Sequence, residues 1–146
     1  NTIGPDSEMM EFYHMSARCG YELGYIADED RFKFTHNYPK SNRKQTIYIS
    51  RIPGTGKKKT FLRFESPCRE FKKKSELTVK VLLELAEINM EKDMHCRLGI
   101  ADMKVFVVID QIIDTLDEDE LKHHIDTVGL KADKYEERST AGGDRF

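Results

Sequence analysis

The chain has no long hydrophobic run, so its sequence pattern predicts no membrane-spanning helix. Its longest apolar run covers residues 105–109, far below the roughly 20 apolar residues that such a helix needs. No apolar stretch lies near the N-terminus, so no signal peptide is visible. Hydrophobic residues make up 38% of the chain and charged residues 34%. This balance is typical of a globular domain with a charged surface, and we expect no membrane partner.

Cysteine is scarce, and its spacing predicts no disulfide framework. The chain has three cysteines, Cys19, Cys68 and Cys96, and no Cys-x-x-Cys pair. An odd count at wide spacing favours reduced thiols and a cytoplasmic location. The adjacent pairs His95-Cys96 and His123-His124 point to different faces of any strand or helix. A zinc site is therefore not expected, and no metal or cofactor is predicted.

No catalytic pattern is present. Residues 54–60 read GTGKKKT, but a phosphate-binding loop requires GxxxxGK[ST]. Position 51 is Arg where that pattern needs Gly, and Lys58 follows Lys57 where it needs Ser or Thr. The acidic residues 114–120 lack the Gly and Glu spacing of an EF-hand. We therefore predict a protein that is not an enzyme.

The order of the predicted elements indicates one α+β domain. A chain of 146 residues suits a single domain, which we place at residues 6–138, with a flexible lead at 1–5 and a flexible tail at 139–146. The expected order is a helix, a three-strand antiparallel meander, a helix, two strands and a helix. Apolar residues alternate in the strands and recur every three or four residues in the helices. We expect the helices to pack mainly on one face of the sheet.

Two helices have the strongest patterns. Ser75 is expected to cap the middle helix, whose broad apolar face should be central to the core. The last helix is predicted over residues 117–138, with a capping box between Thr115 and Glu118 and a kink or break as an option at Gly129. Its apolar stripe consists of Leu121, Ile125, Val128, Ala132 and Tyr135.

Residues 105–109 are apolar at every position, which predicts an interior strand. Such a strand is covered on both faces by its own domain, or on one face by a partner chain. The second option makes Val105, Val107 and Ile109 candidates for a contact in a homodimer.

Charge is distributed unevenly along the chain. The whole chain has a net charge of −2, whereas residues 31–74 hold fourteen basic residues against Glu65 and Glu70, a local net of +12. The basic strands could face acidic helices of the same domain, an acidic partner protein, or nucleic acid. The candidate partner-binding residues are Arg43, Lys44, Arg51, Lys57, Lys58, Lys59 and Arg63.

The second half of the chain resembles a known family. Residues 82–89 read LLELAEIN, residues 97–100 read RLGI before an expected tight turn, and Ala132-Asp133 lie near the end of the last helix. Together with the strand 105–109, they are similar to the YbjN-type branch of the type III secretion chaperone-like fold. The resemblance covers about residues 75–138.

The resemblance implies a non-enzymatic module that is often dimeric and holds segments of a client protein. Members bind through apolar patches and exposed strand edges, which is strand addition in physical terms. The edge could lie in residues 21–27, 31–36 or 46–52. We therefore expect a protein-interaction or chaperone-like module that binds a client. The alternative is a nucleic-acid-binding module that uses the basic region 31–74.

Overall fold

The computed structural model describes residues 5–53 and 60–139. Over these residues the chain has an α+β fold, as predicted, with helices packed against an antiparallel sheet. The elements in chain order are α1 (Ser7–Arg18), β1 (Gly24–Ile26), β2 (Arg31–Tyr38), β3 (Arg43–Ile52), β4 (Phe61–Glu70), α2 (Val79–Ile88), β5 (Arg97–Ala101), β6 (Lys104–Ile112) and α3 (Glu118–Ser139).

The predicted flexible lead and tail lie outside the described residues except for Pro5 and Ser139, and Ser139 is the last residue of α3. The expected three-strand meander has a fourth strand, because residues 24–26 pair with β2 as the short strand β1.

The six strands lie in the order β1-β2-β3-β4-β6-β5. The first four form a meander, and β6 then pairs with β4, so β5 becomes the far edge. The expected tight turn between β5 and β6 is present at Asp102 and Met103, whose φ angles are 50° and 63°. Two successive positive φ angles are typical of the hairpin turn whose twist matches that of its strands.

The core lies on the face of the sheet that α1 and α3 cover. A row of paired residues, Phe32, Ile49, Phe64 and Ile109, crosses β2, β3, β4 and β6 on this face. The ring of Phe12 from α1 lies 5.8 Å from that of Phe32 and 6.1 Å from that of Phe64. Aromatic contacts of this kind stabilise a core beyond the area that they bury.

The helix α3 crosses β3, β4 and β6, and all five residues of its predicted stripe are buried. The helix continues through Gly129, so the break considered there does not occur. A Cβ atom at this position would lie 2.8 Å from the Tyr38 hydroxyl oxygen and 3.0 Å from Cδ1 of Ile47. Glycine therefore allows the helix to approach the sheet closely at this point.

The prediction that α2 is central to the core is wrong. The helix begins at Val79, with Thr78 rather than Ser75 as its cap, and packs beside the edge strand β5. Within α2, Leu85 and Ile88 are buried and Val81 packs against the core cluster, whereas Val79, Leu82 and Leu83 are exposed. Because α2 lies beside an edge strand, few strands lie beneath it, and only one side of the helix is covered. At its C-terminus the Asn89 side chain accepts a hydrogen bond from Leu98 N at 2.6 Å and donates one to Leu98 O at 3.1 Å.

The residues predicted for a dimer contact are part of the core. Val105, Val107 and Ile109 lie on the helix-covered face of β6 and are buried among other apolar side chains of the same chain. Side chains on one face of a strand share one environment. On this face of β6, α3 and its neighbours lie where the prediction placed a partner chain. We correct the location of this contact: these three side chains offer no surface to a second copy.

Candidate protein-interaction edge

Arg43, one of the predicted partner-binding residues, is buried beneath α3. Its Nε atom lies 2.8 Å from Asp133 Oδ1 and its Nη2 atom 3.3 Å from Glu136 Oε1. The side chains of Arg43, Asp133 and Glu136 are only 8%, 9% and 0% exposed. This strand cation therefore faces an acidic helix of its own domain. We correct its assignment, because an external partner cannot reach it.

Arg51 also pairs within the chain. It donates a hydrogen bond to Asp6, the residue that caps α1, and lies 3.6 Å from Glu8 and 3.4 Å from Asp30. The hydrogen bonds from Arg51 and from the Met9 amide lower the pKa of the Asp6 carboxyl. Arg51 thus links the start of α1 to the end of the sheet.

Arg63 lies on the sheet face opposite α3, within a row of paired charges. It donates two hydrogen bonds to Asp110, at 2.8 and 3.1 Å, and Arg97 binds the same carboxylate at 2.8 Å. Burial alone would raise the pKa of Asp110, but these hydrogen bonds more than offset it and leave the pKa below its ordinary value. Arg31 lies 3.7 Å from Glu65 on the same face. Burial raises the pKa of the Glu65 carboxyl despite that neighbour.

The seven predicted basic residues do not form one surface. Arg43 and Arg51 point to the helix side, whereas Arg63 and the exposed Lys44 lie on the opposite face. Lys57, Lys58 and Lys59 lie outside the described residues. Four of the five arginines in residues 31–74, namely Arg31, Arg43, Arg51 and Arg63, form ion pairs within the domain. These pairs explain part of the +12 charge, which also includes nine lysines.

The sheet has an open edge at the second half of β2. β1 is only three residues long and pairs with residues 31–33, whereas β2 continues to Tyr38. Among the described residues, no strand pairs with residues 34–38 on the side away from β3. In an antiparallel strand, alternate residues direct their N–H and C=O groups away from the paired neighbour. These residues therefore present unpaired backbone groups beside a groove of about 750 Å³.

Aromatic rings line one side of this edge. Tyr21, Phe34, His36 and Tyr38 form a continuous, half-buried stripe, with ring centroids 5.1, 5.9 and 4.5 Å apart in that order. The Tyr21 hydroxyl donates a hydrogen bond to Asp126 of α3 at 3.2 Å. Burial and this carboxylate raise the pKa of Tyr21 to about 12, so the side chain is a neutral phenol, and the hydrogen bond to Asp126 orients it.

The other side of the edge is polar. Lys33, Thr35 and Asn37 alternate with the aromatic residues along β2 and are exposed. We name the open backbone of residues 34–38, together with the aromatic stripe and these three polar residues, the β2 edge. It combines unpaired backbone groups with two chemically different rows of side chains.

The sequence offered three segments for the exposed strand edge, residues 21–27, 31–36 and 46–52, and gave no ground for choosing one of them. β3 lies between β2 and β4, so residues 46–52 are interior. Residues 21–27 contribute only a short strand, and residues 34–38 are left open. The signal in the sequence was the acidic turn at residues 28–30, which closes the first hairpin after few strand residues.

Neither a metal centre nor a membrane span is found in the part of the chain that the structure describes. No group of three or more His, Cys, Asp or Glu residues in residues 5–53 and 60–139 could hold a metal ion. No helix within these same ranges has the length and apolar character needed to cross a membrane.

Comparison of the chain with protein-family models gives no match, and comparison with curated proteins gives none. The resemblance to the YbjN-type branch stays a prediction from the residues.

Proposed function

We propose that this chain is a non-enzymatic protein-interaction module, and that it binds an extended segment of a client protein as an added strand at the β2 edge. The observation that carries this proposal is the mismatch in length between β1 and β2. Within the described part of the chain, it leaves residues 34–38 without a strand on the side away from β3. Main-chain hydrogen bonds supply affinity in such complexes, and alternate side chains supply specificity.

The two rows of side chains define the client segment. Alternate residues of an added strand would meet the aromatic stripe, and the residues between them would meet Lys33, Thr35 and Asn37. Aromatic faces favour apolar side chains, whereas a lysine and two uncharged polar residues favour acidic or hydroxyl side chains. The client segment therefore alternates apolar residues with acidic or hydroxyl residues.

The test uses a labelled ten-residue peptide that alternates valine and glutamate, with binding measured by fluorescence anisotropy. Two derivatives carry N-methyl groups, one at the odd positions and one at the even positions. Strand addition uses the N–H groups of one peptide edge only, so one derivative should lose at least tenfold in affinity and the other should keep most of it. Equal effects of the two derivatives, or no binding of the parent peptide, would contradict the proposal.

A pair of charge variants locates the site. Lys33→Glu should weaken binding of the valine–glutamate peptide several-fold, because it places like charges together. Lys92→Glu makes the same charge change at an exposed position after α2, next to the opposite edge of the sheet, and should leave binding unchanged. Equal effects of both variants would indicate general electrostatic attraction instead.

Nucleic acid is the alternative partner, and the internal pairing of Arg43, Arg51 and Arg63 counts against it. Phosphate binding weakens with salt by about 0.9 log unit per contact for each log unit of salt on duplex DNA. A labelled 20-nucleotide DNA, single-stranded or duplex, should bind poorly at 150 mM salt. Tight binding with a steep salt slope, together with no peptide binding, would favour this alternative.

A further inference from the structure

A second depression adjoins the groove at the β2 edge, on the side towards α1. Its volume is about 470 Å³. It shares Gly20, Tyr21 and Glu22 with the larger groove beside the β2 edge. Its remaining lining residues are Tyr13, Ala17 and Leu23. We name the depression that these six residues line the α1 cleft. Because the two depressions share three lining residues, a chain that leaves one of them can enter the other directly.

The α1 cleft exists because the chain turns sharply after the end of α1. Gly20 has a φ angle of 87°, a conformation that favours glycine. A Cβ atom at Gly20 would have nothing within 4 Å beyond its own chain neighbours, so the turn leaves open space beside it. Tyr21 lies where the two depressions meet, and its hydrogen bond to Asp126 orients the ring there.

The strand β1 determines where a strand added at the β2 edge must leave the sheet. Gly24 pairs with Lys33, so β1 already occupies the position beside Lys33, and an added strand ends beside Phe34. Residues 20–23 line the α1 cleft and directly precede Gly24 in the chain. A client chain that turns away from the sheet beside Phe34 therefore has the α1 cleft as its neighbouring depression.

Strand pairing indicates which end of the client reaches the α1 cleft. The strand β2 pairs antiparallel with both β1 and β3, and antiparallel pairing is slightly more stable per residue than parallel pairing. A client strand that runs antiparallel to β2 has its C-terminal end beside Phe34. The client residues that follow the added strand therefore meet the cleft.

The lining of the α1 cleft defines the side chains that it accepts. The rings of Tyr13 and Tyr21, with Ala17 and the buried Leu23, present apolar surface, which favours an apolar side chain. Glu22 is the only charged residue among the six that line the cleft, and it is exposed. A carboxylate at the rim of an apolar cleft favours a cation on the partner.

We infer that the α1 cleft binds the two or three residues that directly follow the added strand in the client, an apolar residue and then a basic one. This inference rests on the proposed function, because it extends the same client segment beyond the β2 edge. The full recognition segment is an alternating strand followed by an apolar–basic pair. Side chains seated in pockets give such complexes the specificity that main-chain hydrogen bonds lack.

The test extends the ten-residue valine–glutamate peptide by Gly-Leu-Lys at its C-terminus, with binding measured by fluorescence anisotropy. This extension should raise the affinity about tenfold, because it buries one leucine side chain and pairs one lysine. Extensions by Gly-Leu-Glu and by Gly-Ser-Lys should each give a smaller gain, because each lacks one of the two contacts. A peptide with Lys-Leu-Gly at its N-terminus has the same composition and should bind like the parent peptide.

A pair of alanine variants locates the contact. Ala17→Arg places a long cationic side chain in the α1 cleft, so it should remove the gain from Gly-Leu-Lys and leave binding of the parent peptide unchanged. The matched control is Ala101→Arg, at an exposed position of β5 at the other end of the sheet, which should keep the gain. Circular dichroism checks that both variants are folded.

Glu22→Lys provides a second test, because it should shift the preference from the Gly-Leu-Lys extension to the Gly-Leu-Glu extension. An equal gain from extensions at both ends, a gain from the N-terminal extension alone, or a gain that Ala17→Arg leaves intact would overturn the inference. Binding of the parent peptide would still support the β2 edge in each of these cases. No binding of the parent peptide would overturn the proposed function and this inference together, so the two failures are distinguishable.

Discussion

At the scale of single residues, the same residue type has different roles according to where the sheet places it. Arg43 and Lys44 are neighbours on β3, yet Arg43 is buried against two carboxylates of α3 and Lys44 is exposed. Successive side chains of a strand point to opposite faces. A count of positive charge along the chain cannot separate these two environments.

Arg43→Ala should lower the free energy of unfolding by about 3–5 kcal/mol, because Asp133 and Glu136 would be left as buried carboxylates without their cation. Urea unfolding followed by circular dichroism measures the change. Lys33→Ala, at an exposed position of β2, should change stability by less than about 0.5 kcal/mol. A loss below about 1 kcal/mol for Arg43→Ala would show that the pair is not buried in solution.

His124 should make stability depend on pH. Its Nε2 atom lies 3.0 Å from Gln111 Oε1, and its Nδ1 atom is buried without a hydrogen-bond partner. A proton added at Nδ1 would therefore have no acceptor. Burial, with a smaller contribution from His123, lowers the pKa of His124 below its usual 6.5. Below that value the unfolded chain binds more protons than the folded chain, so stability falls as the pH decreases.

We expect the urea concentration at the unfolding midpoint to decrease when the pH is lowered from 7.5 to 5.5. The His124→Gln variant should show a smaller decrease. Urea titrations of both proteins at the two pH values measure the difference. A His124→Gln variant with the full pH dependence of the parent would contradict the role given to this ring.

At the scale of elements, hydrophobic periodicity identified α3 well and α2 less well. Both helices have clear apolar stripes in the sequence, but α3 crosses three central strands whereas α2 packs beside an edge strand. Periodicity reports that a helix is amphipathic. It does not report how many strands lie beneath the helix.

The start of α3 gives a test of capping. The sequence predicts Thr115 as the capping residue, but the Glu120 amide donates a hydrogen bond to Asp117 Oδ1 at 2.7 Å. Thr115 instead donates to the Ile112 carbonyl at 3.4 Å, before the helix. Asp117→Ala should therefore destabilise the fold by about 1 kcal/mol, and Thr115→Ala by less than about 0.5 kcal/mol. Thermal unfolding of the two variants compares these losses of stability. A larger loss for Thr115→Ala than for Asp117→Ala would show that Thr115 is the capping residue.

At the scale of the whole molecule, the strand order indicates that the central strands open less readily than the edge strands. β3, β4 and β6 each have neighbours on both sides, whereas β1 and β5 are edges. Local opening requires less free energy where backbone hydrogen bonds are exposed and few apolar contacts surround them.

Native-state hydrogen exchange should be slowest for the amides of Ile49, Phe64 and Val107 in the central strands. It should be faster by at least tenfold for Ile26 in β1 and Ile100 in β5, where the strands are short and at the edge. Exchange followed by NMR measures these rates. Equal protection of β1 and β6 would imply that a further segment or a second chain covers the β1 edge.

The sequence by itself determined the α+β class, most of the order of elements, the buried face of α3 and the turn between β5 and β6. These depend on local spacing, which fixes which residues of one element share a face. Only the tertiary structure decided which arginines are buried, that Val105, Val107 and Ile109 belong to the core, and that residues 34–38 form an open edge. It also decided which side of α2 is exposed. These features depend on which elements become neighbours, and that is set by contacts between residues far apart in the chain.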